Sequence, residues 1–477
     1  MKKTNLPDEI RRWGYKIVDR IADYFEHIED YPVQSQSEPG DILNILPLEA
    51  PVRGESLEQI LKDFDKMILP GMTHWQSPKF FAYFPANSSL PSLLGEMLTA
   101  ALGAQCMKWE TSPAAAELEQ RMMEWLRNLT GIPSAFEGVI QDSASSSTLC
   151  AILTAREKYS NWNINTSGFL GRNVFRVYCS EEAHSSVEKA VKIAGIGRKN
   201  LVKLPVDEAF RLVPNALQEA IANDRSKGYT PLCVVAALGT TGSTAIDPIP
   251  EIAEICHSEN IWLHVDAAMA GSALILPEYQ WMRKGIEKAD SIVFNPHKWL
   301  FTNFDCSAYF IKDKKALVNT FAILPEYLRT RVQGKVNDYS DWGIPLGRRF
   351  RALKLWFVLR YYGQEGLQQR LREHISMAAW FENKLRNDSR FEIMAPRTIN
   401  LVCFRVLSKQ ALQDVELNSL NEQLLQQINK TGKIYISHTK LKGRYTLRLV
   451  VGQTYTEQRH VEEAWEIIRN LAEQFTA

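Results

Sequence analysis

The residue in this chain best placed to act as a nucleophile is the lysine of Asn295-Pro296-His297-Lys298-Trp299, a run that follows the β-rich segment Ser291–Phe294 directly. A lysine delivered to the carboxyl end of a strand can be desolvated, and the neutral amine that burial favours forms Schiff bases with carbonyl compounds. Alone, it would read as an ordinary loop residue. A second strand end adds weight: His264-Val265-Asp266-Ala267-Ala268 closes the apolar run that starts at Ile261, with Asp266 thirty-two positions before the lysine. Asp266 is there a carboxylate that a parallel sheet would bury, and a buried carboxylate needs a cationic or donor partner. A protonated pyridine nitrogen is one such partner. A Schiff-base lysine combined with an aspartate facing the ring nitrogen is the pairing that makes pyridoxal 5′-phosphate an electron sink.

Such a cofactor needs a phosphate site. The segment Val139-Ile140-Gln141-Asp142-Ser143-Ala144-Ser145-Ser146-Ser147-Thr148 precedes the apolar helical stretch Leu149–Ala155 and gathers small hydroxyl residues and backbone amides at a helix N-terminus. Dipole and donor geometry make that an anion site, although by itself it is also an ordinary Ser-rich cap. His184 follows the strand pattern Phe175–Cys179 and is expected to begin a helix running to Ile193, where a flat imidazole could stack on a cofactor ring. Leu238-Gly239-Thr240-Thr241-Gly242 leaves the apolar strand Leu232–Leu238 at the same edge and could set Thr241 near that ring. No Walker A sequence is present, and Gly195-Ile196-Gly197 follows a helix rather than a strand, which leaves a nucleotide-binding loop without support.

The elements that must position these residues alternate. Strands are expected at Phe175–Cys179, Leu201–Leu204, Leu232–Leu238, Ile261–Val265 and Ser291–Phe294, with helices at His184–Ile193, Pro214–Ala222 and Pro250–His257 between them. Strands without polar alternation, separated by helices, predict a mainly parallel sheet covered on both faces, which binds ligands at the carboxyl ends of its strands. Ahead of it, Ile10, Trp13, Ile17, Ile21, Tyr24 and Ile28 form one apolar stripe of a helix over Glu9–Ile28, and Leu57–Ile68 carries a second helical pattern. This leading segment lacks strands for a core of its own and reads as an arm docked on a larger body or a partner subunit. Regular patterning lapses after Lys312 and resumes as a helix over Phe350–Tyr362. The last hundred residues read as a smaller α+β unit, with strands Asn400–Val406 and Tyr445–Val451 and helices over Val415–Ile428 and around Trp465. The expected divisions are therefore 1–88 for the arm, 89–354 for the large domain and 355–477 for the small one.

Charge and cysteine usage narrow the partners. With 56 Lys and Arg against 55 Asp and Glu, the net charge of +1 provides no field to hold a polyanion or an acidic membrane, so nucleic acid is not expected. No stretch approaches the ~20 apolar residues of a membrane span. Seven scattered cysteines without a CxxC pair read as small buried hydrophobes in a reduced compartment, with no metal site. The start, with Lys2 and Lys3 followed by Pro7, Asp8 and Glu9, does not resemble a secretory signal. A cytoplasmic protein is expected.

Taken in order, His74-Trp75-Gln76-Ser77-Pro78, Phe80-Phe81-Ala82-Tyr83-Phe84-Pro85, Ser112-Pro113, the Asp142–Ser145 segment, Ala183-His184-Ser185-Ser186, His264–Ala268, Asn295–Trp299 and Ile344-Pro345-Leu346-Gly347-Arg348-Arg349-Phe350 resemble the pyridoxal-phosphate-dependent group II decarboxylases. Within these the resemblance is to the aromatic-L-amino-acid decarboxylases that act on DOPA, tyrosine and tryptophan, and it runs nearly end to end. It implies an α/β protein with the type I pyridoxal-phosphate (aspartate aminotransferase-like) fold, working as a homodimer whose N-terminal segment lies over the neighbouring subunit. It implies that Lys298 carries pyridoxal 5′-phosphate covalently, that Asp266 pairs with the pyridinium nitrogen, that His184 stacks over the ring and that Ala268 packs on its other face. Ala144, Ser145 and Asn295 would hold the phosphate, with Thr241 and His297 completing the surroundings. A tyrosine on a mobile loop would return a proton after CO2 leaves, and Tyr327 of Pro325-Glu326-Tyr327-Leu328 stands in that place; relatives with phenylalanine there tend toward aldehyde formation. Trp75 would wall the substrate pocket. Ala86 replaces a usual threonine and Met107 a usual aromatic residue, so the particular aromatic amino acid stays open. The alternatives are an aromatic aldehyde synthase, another group II amino-acid decarboxylase, or a module that binds the cofactor without turnover.

Overall fold

The computed structural model describes residues 5–169, 174–323, 335–408 and 413–476. Tyr327 lies outside the described residues. Two compact units divide the chain: Ala86–Glu382 with Ile393–Cys403, and Met1–Pro85 with Asn383–Glu392 and Phe404–Ala477. The arm expected at 1–88 and the small domain expected from 355 thus share one unit, while most of the helix Arg351–Arg386 belongs to the other.

The first unit is built on seven strands: β1 (Glu137–Gln141), β2 (Phe175–Ser180), β3 (Leu201–Leu204), β4 (Thr230–Ala237), β5 (Trp262–Asp266), β6 (Ser291–Phe294) and β7 (Ser307–Ile311), in the order β1-β7-β6-β5-β4-β2-β3. β3, β2, β4, β5 and β6 pair in parallel, and β7 runs antiparallel to both β6 and β1. Six strands therefore share one direction and β7 alone is reversed. β4, β5, β6 and β7 are buried at every position, which is why their sequences lack polar alternation: helices cover both faces. Each fully buried Val, Ile or Leu on these strands contributes about 1.5 to 3 kcal/mol.

Two departures from the sequence reading concern the site. His184 stands ahead of the helix, which begins at Ser186 and ends at Ile193, because its imidazole turns back to bond Ser186 rather than continuing the helical run. The stretch after Lys312 starts not irregularly but as a helix, Lys314–Phe321, with the Asp313 carboxylate accepting the Ala316 N–H at 2.9 Å as its cap. β1 and β7, which pair antiparallel with one another, are not among the strands expected from sequence.

The second unit contains the helix Leu6–Glu26, which has no buried residue, and the closing helix Gln458–Thr476. The hairpin of β10 (Ser437–Leu441) and β11 (Arg444–Val450) turns on Lys442 and Gly443, at φ 48° and 79°, the paired positive angles that a tight hairpin of matching twist requires. β10 and β11 belong to a four-stranded sheet, completed by β9 (Leu401–Val406) and β8 (Phe391–Ile393) in the order β10-β11-β9-β8.

Candidate active site

Because six strands run the same way, the segments leaving β1, β2, β4, β5 and β6 emerge at one edge of the sheet, and every cofactor residue expected from sequence sits on one of them. At the end of β6, Asn295 precedes the short helix Pro296–Trp299, which carries Lys298 within the connection to the reversed strand β7. The Lys298 N–H donates to the Asn295 carbonyl at 2.9 Å, and the Asn295 N–H donates to the Ala268 carbonyl at 2.9 Å, so the ends of β5 and β6 are tied together. The Asn295 side-chain oxygen accepts the Ser307 hydroxyl at 2.6 Å, which fixes that amide.

Asp266 ends β5 and is 8% exposed. One carboxylate oxygen accepts the Ala268 N–H at 3.1 Å. Lys298, His184 and His264 all feel its charge, which places this carboxylate among them. Burial lowers the Lys298 pKa from its ordinary value, against the opposing pull of Asp266, and so raises the share of neutral amine near pH 7. His184 is exposed by surface area, yet the surrounding protein pushes its pKa down, with Asp266 opposing and Lys298 reinforcing. Its Nδ1 accepts the Ser186 N–H at 3.2 Å and lies 2.8 Å from the Ser186 hydroxyl, so the ring proton sits on Nε2.

Behind Asp266 on the same strand, His264 is fully buried, and burial drives its pKa down to about 4. The Trp262 indole donates to Ser291 Oγ at 3.1 Å, and the same hydroxyl lies 2.9 Å from His264 Nδ1; His264 Nε2 lies 3.4 Å from the Thr148 hydroxyl. This chain joins β5 and β6 to the helix Ala144–Tyr159. That helix begins after β1, with Ser143 as its cap accepting the Ser146 N–H at 3.3 Å. The Ala144 and Ser145 amides belong to its first turn and have no intrahelical acceptor, which suits a phosphate.

The turn after β4 is held by Asp247, which accepts the Leu212 and Ala237 N–H groups at 2.8 and 2.7 Å, while burial pushes its carboxyl up to about 6. Gly239 in this turn has φ +96°, and a Cβ there would come within 2.6 Å of the Ala270 Cβ. Gly239→Ala is expected to cost about 2 to 4 kcal/mol, from left-handed strain plus overpacking, measurable as a lower urea midpoint. Thr241, half-buried, follows two residues later on this turn.

His297 is buried, its Nδ1 accepts the Cys306 N–H at 2.9 Å, and burial pushes its pKa down to about 3. Ala86 is half-buried and adjoins Asn87, whose side-chain amide donates to the Lys298 carbonyl at 2.5 Å. Met107 lies on a segment held to Asp338–Asp341: its carbonyl accepts the Ser340 N–H at 2.9 Å, and the buried Lys108 ammonium pairs with Asp338 and Asp341 at 3.5 and 3.4 Å. Trp75 belongs to the other unit, where it stacks on Phe80 at 4.4 Å between ring centres.

Asn87, His264 and the Trp299–His374 pair were not assigned from sequence. Asn87 looks like any loop asparagine, and His374 occurs in an apolar helical pattern where a histidine reads as core. Only His264, two residues before Asp266 on one strand face, carried a usable signal.

The donor set fits pyridoxal 5′-phosphate: a desolvated amine, a carboxylate beside it and a helix N-terminus lie at one sheet edge. Residues 39–407 match the pyridoxal-dependent decarboxylase conserved domain. The chain is 45% identical to tyrosine decarboxylase 2 of Narcissus pseudonarcissus over 98% of its own length and 94% of that protein's. It is likewise 45% identical to a phenylacetaldehyde synthase of Arabidopsis thaliana, over 98% and 96%. The crystal structure of Catharanthus roseus tryptophan decarboxylase in complex with L-tryptophan superimposes with a TM-score of 0.93 at 40% identity, covering 100% of both chains. Those matches, falling on a sheet edge already furnished for this cofactor, place the chain in the aromatic-amino-acid branch of the group II pyridoxal-phosphate-dependent decarboxylases, as a carboxy-lyase that uses pyridoxal 5′-phosphate.

Proposed function

We propose that the protein converts an aromatic L-amino acid, one or more of DOPA, tyrosine, tryptophan, 5-hydroxytryptophan and phenylalanine, to its amine and CO2. The observation that carries this reading is the gathering of Lys298, Asp266 and His184 at the carboxyl ends of parallel strands, each within the electrostatic reach of the others. When bound, the cofactor supplies a sink for the electrons released as the carboxylate leaves. Lys298 Nζ, whose pKa burial lowers, would hold it covalently. Asp266 keeps one oxygen on the Ala268 amide and offers the other to a ring N–H, holding that proton in place. His184, fixed as the Nε2–H tautomer by Ser186, would offer a flat face to the cofactor ring, and Ala268 would pack against that ring as well. The Ala144 and Ser145 amides and the Asn295 side chain hold the phosphate, and Thr241 and His297 line the site. Trp75, Ala86 and Met107 are proposed to shape the substrate pocket.

Tyr327, which lies outside the described residues, is proposed to return the proton to the carbon that loses CO2. The equal identity to a tyrosine decarboxylase and to a phenylacetaldehyde synthase gives the aldehyde route standing as a second reading. Product analysis separates them: one amine per CO2 with no ammonia or peroxide supports decarboxylation, and aldehyde with ammonia overturns it. Tyr327→Phe is expected to shift product from amine toward aldehyde; amine alone at the parent rate would remove Tyr327 from the mechanism.

A homodimer is part of this reading. It is supported by the helix Leu6–Glu26, which has no fully buried residue and exposes Leu6, Ile10, Ile17 and Val18. A cytoplasmic setting is proposed from the seven free, buried cysteines. Among the described residues no helix is long and apolar enough to cross a membrane.

A further inference from the structure

We infer that Asn87 and the Trp299–His374 pair are positioning residues for Lys298, fixing the backbone from which the reactive amine is carried. The inference rests on the reading of Lys298 as the cofactor lysine. The helix Pro296–Trp299 has four residues, too few to be stable by itself, and the chain turns through a positive φ of 53° at Phe301 just beyond it. Its geometry must therefore be imposed from outside. The Asn87 N–H donates to the His297 carbonyl at 3.0 Å, and the Asn87 side-chain amide donates to the Lys298 carbonyl at 2.5 Å. The next residue, Trp299, donates its indole N–H to His374 Nδ1 at 3.0 Å. Three consecutive residues are thus anchored by groups distant in sequence, 297 by the backbone of Asn87 and 298 and 299 by the side chains of Asn87 and His374.

These anchors are buried. Asn87 is 1% exposed, His374 3% and Trp299 fully buried. Because an indole only donates, His374 Nδ1 must be unprotonated, and burial holds the ring neutral with a pKa pushed down to about 3. The contacts continue along the same connection: the Ser89 hydroxyl donates to the Phe301 carbonyl at 2.6 Å, and the Asn303 N–H donates to Ser92 Oγ at 2.7 Å. A lysine carries four rotatable bonds between backbone and amine. An amine that must repeatedly meet one carbonyl carbon gains from a fixed root, since small misplacements of a reacting atom are costly.

The test uses the full chain freed of cofactor and then given pyridoxal 5′-phosphate, following the growth of visible absorbance and mapping borohydride-fixed label to Lys298. Asn87→Ala and His374→Leu are expected to slow labelling about tenfold, which corresponds to about 1.4 kcal/mol. His374→Gln, whose side-chain oxygen can again accept from Trp299, is expected to recover to within about threefold of the parent, as befits one restored hydrogen bond. If Asn87→Ala and His374→Gln label at the parent rate and His374→Leu does too, or changes only in Tm, the residues are merely structural and the inference is wrong. Should His374→Leu not fold, the rate for Asn87→Ala decides. Absence of label on Lys298 in the parent itself would instead overturn the reading of that lysine.

Discussion

Lys298→Ala is expected to abolish covalent capture of pyridoxal 5′-phosphate and to lower kcat/KM at least about 10^4-fold, or ~5.5 kcal/mol of transition-state stabilisation. The reasoning is local. Lys298 is the amine at this sheet edge whose pKa burial lowers, and the charge of Asp266 only partly offsets that burial. Alanine removes the nucleophile and leaves the backbone bonds to Asn87 and Asn295 available. The fold should therefore persist, and Tm of the cofactor-free protein should stay near the parent's. The measurement is steady-state CO2 release together with the visible spectrum after cofactor addition. Turnover above about a tenth of the parent rate would show that covalent attachment here is dispensable.

Asp266→Asn has the second-largest expected effect, a fall in kcat of about 10^2 to 10^3-fold, the range for losing one charge-stabilising contact. Asparagine is nearly the same size and its oxygen can still accept the Ala268 N–H, so the end of β5 keeps its geometry. What is lost is the negative charge that holds a proton on the ring nitrogen. The cofactor should still attach to Lys298, which separates this variant from Lys298→Ala. Loss of Asp266's charge should also lower the pKa values of Lys298 and His184 further, because in both the carboxylate acts to raise them. A pH profile of Lys298 labelling that does not move would show that Asp266 is not near enough to matter.

The placement of the candidate residues was the most legible part of the sequence. Lys298 and Asp266 occur in short runs that end apolar strands, and in a parallel sheet the strand ends fix where the following residues go, so motif and strand direction together located them. β6 was bounded correctly at Ser291–Phe294 and β3 at Leu201–Leu204 because apolar runs flanked by polar or turn residues have sharp edges. β7 was not anticipated. Only the four-residue helix Pro296–Trp299 precedes it, too short to announce a crossover, and Ser307–Ile311 is too short to declare its direction.

The amino-acid order alone indicated candidate residues, through their types and motifs, and determined through local periodicity that a mainly parallel sheet would bring them to one edge. It could not determine what steadies them. The Asn87 amide on the Lys298 carbonyl, His374 under the Trp299 indole and Ser291 between Trp262 and His264 join residues 211, 75 and at most 29 positions apart. Hydrogen bonds of this kind depend on ångström-scale approach between separately formed elements, a quantity set by packing the whole core and carried by no local pattern.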